Sequence, residues 1–329
     1  MQAQSHGGSG TNTTHGESQD PNRVREAVRA GYGRIASAGT LGVLTEAGFS
    51  VEKLAEAMTG KTGAASSCCG PSTSAGGGGG CCGPTSFSPE QLASAIGYAS
   101  DELGAVPESA NMGLSCGNPS ALASLKPGEV VLDLGAGGGF DCFVAGPKVG
   151  ARGRVIGVDM TPEMLAKARG NVAAYAAQTG LNNVEFRLGE IEHLPVADAS
   201  VDVVISNCVL NLSPDKAQVW REIARVLRPG GRVAVSDLAL FRPLPETIRQ
   251  DAAALVGCIS GAALLDEIKD SAERAGLCDV QITPKQAYID ALTTWDDPLA
   301  KRVSAGLPSG TTLSDFVTSA DVTARKAGV

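Results

Sequence analysis

A glycine-rich turn that follows an apolar run constrains the fold of this chain more than any other feature. Residues 129–139 read EVVLDLGAGGG, a short apolar run that ends in glycines. Such a run is typical of a buried strand in a parallel sheet, because helices cover both faces of a parallel sheet. Further strand patterns follow it along the chain, and helical patterns lie among them. This alternation predicts an open parallel α/β sheet.

The alternation begins near residue 88 and weakens after about residue 241. The runs GRVIGVDM, NVEFRLGE, VDVVISNCVL and GRVAVSDLAL predict the second to fifth strands. The run SPEQLASAIGYA predicts a helix with Ser88 as its N-cap and Pro89 in its first turn. A long helix, TPEMLAKARGNVAAYAAQTG, is predicted to begin with Thr161 and Pro162 in the same way. The run DKAQVWREIARVLRPGG predicts an amphipathic helix that Pro-Gly-Gly ends.

Three regions are predicted along the chain. Residues 1–86 form an N-terminal extension, residues 87–240 the sheet domain, and residues 241–329 a smaller C-terminal lobe. Within the extension, residues 1–20 read as a disordered polar tail. Residues 61–86 read as a flexible linker, because consecutive glycines are costly to hold in any regular element.

Short helices are predicted between the tail and the linker. Apolar residues recur there at helical spacing, namely Val24, Val28, Ile35, Leu54 and Met58.

The composition favours an enzyme that acts on a small molecule in the cytoplasm. The formal net charge is −8 and basic residues are not concentrated in a stripe, which argues against a nucleic-acid partner. No apolar run is long enough to cross a membrane, and the N-terminus lacks the apolar centre of a signal peptide. The chain has nine cysteines, a high number for a compartment in which thiols stay reduced. Clustered cysteines in that setting indicate metal binding or catalysis.

The glycine-rich turn carries the pattern of a cofactor site. Gly135 and Gly137 belong to a G-x-G-x-G run, which differs from the G-x-G-x-x-G run of dinucleotide-binding folds. Asp133 lies just before these glycines, and Asp159 ends the second strand, where an acidic residue can accept hydrogen bonds from ribose hydroxyls. The two aspartates could instead only cap turns.

These residues, together with GEIEHLP after the third strand and RPGGRVAV before the fifth, resemble the class I S-adenosylmethionine methyltransferases over roughly residues 125–240. The resemblance implies a Rossmann-like sheet and a methyl donor bound at the carboxyl ends of its strands. The residues it assigns to the cofactor are Asp133, Gly135, Gly137, Asp159, Met160, Ile191, Glu192 and Asn207.

Three cysteines that are far apart in sequence are placed to meet near this cofactor. Cys208 ends the fourth strand in ISNCVLNL, Cys116 precedes the first strand in GLSCGNP, and Cys258 lies in the C-terminal lobe in LVGCISGAAL. Ligands of open α/β sheets bind at the carboxyl ends of the strands. Three thiolates without a nearby histidine suit a soft centre such as trivalent arsenic, whereas zinc requires a fourth ligand.

The runs SCGNP, DLGAGGGFDCF, VIGVDMTPEML, GEIEHLPV, SNCVLNLSPDK and GCISGA resemble those of the arsenite S-adenosylmethionine methyltransferases over most of residues 88–290. The resemblance implies that Cys116, Cys208 and Cys258 bind trivalent arsenic, and that Cys81 or Cys82 takes part in thiol exchange. From thiol chemistry we expect arsenic to arrive as a glutathione complex, with glutathione or thioredoxin as the reductant. Some members carry a tyrosine two residues before the first of these cysteines.

This chain departs from that pattern, because Leu114 occupies the position of the tyrosine. Cys142 and Cys278 are expected only to pack in the core, since free cysteine is among the most buried residue types. Two other functions remain open. One is a methyltransferase for a small organic acceptor whose cysteines are structural. The other is a thiol-rich protein that sequesters metalloids without turnover.

Overall fold

A single mixed sheet runs through the protein. The computed structural model describes residues 20–38, 88–294 and 298–328. The strands within these ranges are β1 (Val130–Leu134), β2 (Arg154–Asp159), β3 (Val184–Leu188), β4 (Val201–Asn207), β5 (Leu227–Leu240), β6 (Ala263–Leu264), β7 (Leu277–Lys285) and β8 (Val317–Lys326). The helices are α1 (Pro21–Ala38), α2 (Pro89–Ala95), α3 (Ser100–Leu103), α4 (Pro119–Leu122), α5 (Phe140–Val149), α6 (Pro162–Thr179), α7 (Lys216–Val226), α8 (Glu246–Arg249), α9 (Ala252–Val256), α10 (Leu265–Arg274), α11 (Ala287–Thr294) and α12 (Pro298–Ala305).

The five predicted strands form the parallel part of this sheet. The strand order is β3-β2-β1-β4-β5-β8-β7, and the pairs among β1 to β5 are all parallel. The chain winds from β1 outward to β3 and then returns to the other side of β1 to form β4 and β5. The point between β1 and β4 is therefore the topological switch at which open α/β sheets bind their ligands. The predicted α/β class is confirmed.

The last two long strands lie beyond the predicted domain boundary at residue 241, yet they belong to the central sheet. β8 pairs antiparallel with β5 from Arg232–Arg325 to Leu240–Val317, and β7 pairs antiparallel with β8. Residues from the expected C-terminal lobe therefore complete the central sheet. The sequence VTSADVTARK of β8 mixes polar with apolar residues, so it lacked the continuous apolar run of the other buried strands.

The predicted helix starts are confirmed, with differences in their caps. Ser88 accepts the backbone N–H of Gln91 and caps α2. α6 begins at Pro162, but the side chain of Thr161 makes no capping hydrogen bond. α7 ends at Val226 and the chain enters β5 at once, so the Pro-Gly-Gly turn lies inside the irregular start of β5.

The N-terminal helix covers the carboxyl end of the sheet. Val24, Val28 and Ile35 of α1 are buried as their spacing predicted, and they belong to one apolar cluster with Cys116, Cys208 and Cys258. Leu54, Met58 and the cysteine-rich segment lie outside the described residues. No helix in the described part of the chain is long and apolar enough to span a membrane.

Candidate active site

A cavity opens at the carboxyl ends of β1, β2 and β4, beneath α1. It contains about 970 Å³ of space between protein atoms, including its open mouth. Every residue that the sequence assigned to the cofactor lines it, namely Asp133, Gly135, Gly137, Asp159, Met160, Ile191, Glu192 and Asn207. The structure thus brings together all eight of these residues.

The glycine-rich turn shapes the floor of the cavity. Gly135 and Gly137 have φ values of 68° and 52°, a region that residues with a side chain rarely adopt. A Cβ atom on Gly135 would lie 2.1 Å from Cγ2 of Val209, so this glycine permits close packing of the turn. A Cβ atom on Gly137 would meet nothing nearer than Cε of Met112 at 3.9 Å. Gly137 therefore leaves space into which a ligand can approach the backbone.

Asp159 is held by the glycine turn and keeps acceptor capacity for a ligand. One carboxylate oxygen accepts the N–H of Gly137 at 2.9 Å and the other accepts the N–H of Thr161 at 2.8 Å. Each oxygen of an ionised carboxylate can accept more than one hydrogen bond, so a ligand hydroxyl could share this carboxylate with the backbone. Burial raises the pKa of Asp159, and hydrogen bonds from Thr161, Gly137 and Met160 oppose that rise.

Two further buried carboxyl groups lie on the same wall. The Tyr98 hydroxyl donates to Asp141 at 2.6 Å, and Nδ2 of Asn207 donates to the other oxygen of Asp141 at 3.1 Å. Burial raises the pKa of Asp141 to about 6, and burial together with Asp141 raises the pKa of Asp133 well above its ordinary value. A cationic ligand in the cavity would stabilise the ionised form of these carboxyl groups and so lower their pKa.

Asn207 links this cavity to the first of the three predicted cysteines. Its Oδ1 atom accepts the backbone N–H of Cys116 at 3.0 Å, and its Nδ2 atom donates to the carbonyl of Gly117 at 2.8 Å. The side chain that the sequence assigned to the cofactor therefore also fixes the loop that carries Cys116.

The structure brings Cys116, Cys208 and Cys258 together, as the sequence predicted. Cys116 and Cys208 form a disulfide with their Cα atoms 6.1 Å apart, and Sγ of Cys258 donates to the carbonyl of Cys208 at 2.9 Å. The sequence led us to expect three free thiols, whereas the structure shows two of them oxidised. Burial raises the pKa of the Cys258 thiol well above its ordinary value, and nearby Asp237 adds to the rise. Cys81 and Cys82 lie outside the described residues.

Two of these cysteines have an unusual backbone. Cys208 and Cys258 have φ values of 54° and 64°, in the left-handed region. Non-glycine residues adopt this region rarely, and such strain tends to occur at functional sites. Backbone hydrogen bonds hold both residues in this conformation. The N–H of Cys208 donates to the carbonyl of Ser236 at 2.9 Å, and the N–H of Cys258 donates to the carbonyl of Leu255 at 2.8 Å.

The sequence did not identify Arg25 and Tyr32 of α1 as site residues. Both line the cavity, and the Tyr32 hydroxyl donates to the carbonyl of Val256 at 3.2 Å and lies 4.0 Å from Sγ of Cys258. Arg25 pairs with the buried Glu192 at 3.4 Å. Tyr32 thus supplies an aromatic ring to the cavity that Leu114 also lines. The available signal was helical spacing, since Arg25 and Tyr32 share one face with the buried Val28.

Asp237 is a second residue that the sequence did not identify. It is buried near the end of β5, and one of its carboxylate oxygens lies within 4.8 Å of the sulfurs of Cys116 and Cys208. Its carboxylate accepts Nδ2 of Asn211 at 2.8 Å and the N–H of Leu238 at 2.8 Å. Burial raises its pKa to about 7. The available signal was its position near the carboxyl end of a buried strand, since Asn207 is at the carboxyl end of β4.

The remaining two described cysteines differ from each other. Cys142 is fully buried in α5 and its Sγ atom donates to Asp133 at 3.2 Å, so the prediction of a packed residue is confirmed. The same prediction is wrong for Cys278, which is exposed. Cys278 lies on β7, the edge strand of the sheet, where most side chains face solvent.

Comparison with known proteins identifies the fold class of this chain. The family model described as a methyltransferase domain matches residues 125–276. The structure also resembles that of a phosphoethanolamine N-methyltransferase from Haemonchus contortus, with a TM-score of 0.51 over 65% of this chain and 54% of that chain. At 19% identity this likeness shows the fold alone. The chain has the fold of a class I methyltransferase.

More similar relatives define the family. The chain is 43% identical to an arsenite methyltransferase of Halobacterium salinarum over 97% of its own length and 70% of that protein. An arsenite methyltransferase of Aquipseudomonas alcaligenes is 42% identical over 55% of this chain and 52% of that protein. The crystal structure of an arsenic(III) S-adenosylmethionine methyltransferase from Chlamydomonas reinhardtii is 34% identical, with a TM-score of 0.53 over 72% of this chain and 73% of that chain. The protein belongs to the arsenite methyltransferase family.

Proposed function

We propose that this protein methylates trivalent arsenic with S-adenosylmethionine as the methyl donor, and so detoxifies arsenite and then methylarsenite. The observation that carries the proposal is the meeting of Cys116, Cys208 and Cys258 at the edge of the cavity. Cys208 itself lines the cavity, so a metalloid bound by these sulfurs borders the space for the cofactor. Membership of the arsenite methyltransferase family supports the same substrate.

The cavity fits S-adenosylmethionine in shape and charge. Asp159 offers a carboxylate to the ribose hydroxyls, and Gly137 lets the cofactor approach the turn. Buried Asp133 and Asp141 favour a ligand that carries positive charge. When bound, S-adenosylmethionine supplies an electrophilic methyl group on a sulfonium centre.

The three cysteines prepare the arsenic for reaction. Exchange of its hydroxyl or glutathione ligands for protein thiols leaves arsenic in a sulfur pyramid with an outward lone pair. That lone pair carries no proton, so the reaction needs no general base. The contribution of the protein is positioning, which can be worth about 7–11 kcal/mol in a near-attack geometry. The apolar cluster around the cysteines keeps water away from the site.

The disulfide has to be reduced before arsenic binds. Reduction of the Cys116–Cys208 bond takes two electrons, which two thiols can supply while forming their own disulfide. We propose glutathione or thioredoxin for this step, and a glutathione complex as the form in which arsenic arrives.

Methylation of arsenic by the purified protein tests the proposal. Reduced protein is mixed with S-adenosylmethionine, arsenite and glutathione, and the methylated arsenic is separated and quantified. We expect product from the wild type and a loss of at least about 100-fold in Cys208→Ser, since near-attack positioning contributes several kcal/mol. Cys278→Ser is the matched control, because Cys278 is exposed and remote from the cavity. Absence of product from the reduced wild type would refute the proposal.

The same assay separates the two other functions. A methyltransferase for an organic acceptor would transfer methyl groups to that acceptor even as Cys208→Ser. A sequestering protein would bind arsenite tightly and yield no methylated product.

We also propose that Cys81 or Cys82 hands arsenite to the site or resolves the disulfide. Replacing both by serine should slow turnover of arsenite and spare that of methylarsenite, which needs one ligand exchange fewer. The double variant Cys68→Ser, Cys69→Ser is the matched control, since it removes an equal number of thiols from the same segment. Equal rates of wild type and the Cys81, Cys82 double variant with both substrates would show that these thiols play no part.

A further inference from the structure

Asp237 lies beside two of the cysteines that the proposed function assigns to arsenic. Sγ of Cys116, Sγ of Cys208 and a carboxylate oxygen of Asp237 all lie within 4.8 Å of one another, and all three residues are buried. Methyl transfer to arsenic uses the sulfurs and leaves this carboxylate without a role.

Contacts within the fold fix the carboxylate of Asp237 in place. Its Oδ1 atom accepts Nδ2 of Asn211 and the N–H of Leu238, each at 2.8 Å, and its Oδ2 atom accepts the N–H of Asn211 at 3.4 Å. Carboxylates that bind metal ions are commonly oriented by such outer contacts. Within the described ranges, however, Asp237 forms no ion pair. A buried carboxylate without an ionic partner is costly, and a bound cation would offset that cost.

A fourth ligand distinguishes a divalent ion from trivalent arsenic at these sulfurs. Arsenic takes three sulfurs in a pyramid, and its lone pair occupies the remaining position. Zinc takes four ligands in a tetrahedron and accepts both thiolate sulfur and carboxylate oxygen. Its bond lengths of about 2.0–2.3 Å place neighbouring ligand atoms roughly 3.5–3.8 Å apart. The ligand atoms of Cys116, Cys208 and Asp237 are already within 4.8 Å of one another, so small side-chain movements would bring them around one ion.

Cys258 supplies a third sulfur to the same place. Its Sγ atom lies 2.9 Å from the carbonyl oxygen of Cys208. Burial raises the pKa of its thiol and the charge of Asp237 adds to the rise, so these two groups interact electrostatically. Cys208 lines the cofactor cavity, which gives a small cation a path to the cluster. Three sulfurs and one carboxylate oxygen therefore lie within reach of one ion.

We propose that the reduced protein binds a zinc ion through Cys116, Cys208, Cys258 and Asp237, and that this ion excludes arsenic from the same sulfurs. The inference rests on the proposed function, in which the Cys116–Cys208 disulfide is opened and the three thiols bind arsenic. Each thiol releases one proton when it binds zinc, and the carboxylate binds as the anion. No electron is transferred, so zinc and arsenic exchange at the sulfurs by ligand substitution alone.

The zinc affinity of the reduced protein, measured without S-adenosylmethionine, tests this inference. Cys68, Cys69, Cys81 and Cys82 are first replaced by serine, because clustered thiols bind zinc themselves. This full-length background protein is reduced with a phosphine, which is then removed in the absence of oxygen. Titration with zinc in competition with a chromogenic zinc chelator gives the Kd.

We expect Asp237→Asn in this background to raise the zinc Kd at least about tenfold, since losing even an outer contact of a ligand costs about 10- to 100-fold. The affinity of this variant for arsenite, measured by gel filtration and elemental analysis, should equal that of the background protein, because arsenic needs no oxygen ligand. Asp133→Asn is the matched control, since Asp133 is also a buried acidic residue near the carboxyl end of its strand but is not part of the cluster. Its affinities for zinc and arsenite should both be unchanged.

X-ray absorption spectroscopy of the zinc-loaded background protein identifies the ligands directly. We expect three sulfurs and one oxygen, and a shell of four sulfurs or of oxygen alone would overturn the inference. Arsenite added to the zinc-loaded protein should release the zinc, whereas one chain that retains both zinc and arsenic would contradict the exclusion.

An unchanged zinc Kd in Asp237→Asn would overturn the inference. An equal loss of zinc and arsenite affinity would also overturn it, because the substitution would then disturb the cysteines and not remove a zinc ligand. Failure of the reduced wild type to methylate arsenic would refute the proposed function instead, since the zinc titration contains neither arsenic nor cofactor.

Discussion

Two of the cysteines assigned to the site have a strained backbone, and the cost of this strain can be measured as a difference in stability between substituted variants. Cys208 and Cys258 occupy the left-handed region, in which glycine has no steric cost and other residues lose about 1–2 kcal/mol. The fold holds them there through contacts with Ser236 and Leu255. These residues therefore combine a side chain to which we assign arsenic binding with a backbone that would favour glycine.

We predict that Cys208→Gly is more stable than Cys208→Ala by about 1 kcal/mol, because glycine adopts the left-handed region without strain. Both variants lack the sulfur and the disulfide, so the comparison isolates the backbone. Urea unfolding of the two variants measures the difference. The same pair at Cys142, which lies within α5, should show the reverse order, since glycine disfavours a helix. Equal stability of the two Cys208 variants would contradict the prediction.

The carboxyl group of Asp141 should make cofactor binding depend on pH. Burial raises its pKa to about 6 in the free protein, so the group is neutral below that pH and anionic above it. Because the anion attracts a cationic cofactor, we expect the affinity for S-adenosylmethionine to increase by about tenfold from pH 5 to pH 7.5. Calorimetric titration measures this change. Asp141→Asn should show a smaller increase than the wild type, because Asp133 still titrates in the same cavity, and a flat profile for the wild type would contradict the assignment.

At the residue scale, the sequence identified the parts of the site that follow strands. The eight residues assigned to the cofactor and the three cysteines lie at strand ends, in the turn after a strand or in loops with distinctive short motifs, and the structure brings them together. Tyr32 and Arg25 were missed because a helix pattern predicts which face is buried and not which site that face covers. The oxidised state of Cys116 and Cys208 was not predictable from spacing, since it depends on the distance between two loops.

The element that decides access to the cofactor cavity is α1. It connects the two sides of the cavity, because Arg25 and Arg29 pair with Glu190 after β3, while Tyr32 contacts Val256 at the end of α9. Gly31 allows the close approach to α9, since a Cβ atom on it would lie 2.9 Å from Cγ2 of Val256. Valine is stiff at χ1 and cannot easily move away.

We predict that Gly31→Ala loosens the packing of α1 and raises the KM for S-adenosylmethionine about threefold to tenfold, although alanine favours a helix by about 1 kcal/mol over glycine. The second change Val256→Ala makes room for the new methyl group and should restore the KM. Steady-state kinetics of the single and double variants measure both effects. Gly170→Ala on α6 is the matched control, because a Cβ atom there meets no neighbouring atom within 4 Å. A normal KM in Gly31→Ala would contradict the assigned contact.

Helix and strand positions followed from the sequence where the pattern was long and periodic. α6 begins at Pro162, and α7 begins directly after Asp215, which caps it, at the starts of the two helical runs in the sequence. The five parallel strands coincide with their apolar runs. β7 and β8 were not predicted as sheet members, since the side chains of β7 are mostly exposed and β8 alternates in composition. Their pairing with β5 is a tertiary contact that local patterns do not encode.

Across the whole molecule, one sheet joins the cofactor site to the C-terminal segment. β8 lies between β5 and β7 and is buried along most of its length. Ser236 of β5 donates to the buried Asp321 of β8 at 2.8 Å, which ties the two strands by a side-chain contact as well.

We therefore predict that the slowest-exchanging amides of β4, β5 and β8 open with one common free energy, because they belong to one cooperative unit. Native-state hydrogen exchange at increasing urea measures these free energies, with the solvent-facing edge strand β7 as the internal comparison. Opening of β8 at a free energy several kcal/mol lower than that of β4 would contradict this and would restore an independent C-terminal lobe.

The place of β8 in the sheet has a consequence for the synthesis of the protein. Ser319 of β8 donates to the carbonyl of Cys116 at 3.0 Å, so the loop of the first site cysteine is fastened by a strand translated after all three cysteines. At typical elongation rates of about 5–20 residues per second, several seconds separate the emergence of Cys258 from that of β8. During that interval the nascent chain presents the site thiols without their final anchor. In a cell exposed to arsenite, we therefore expect ribosome-bound chains to bind arsenite through these thiols before β8 is in place.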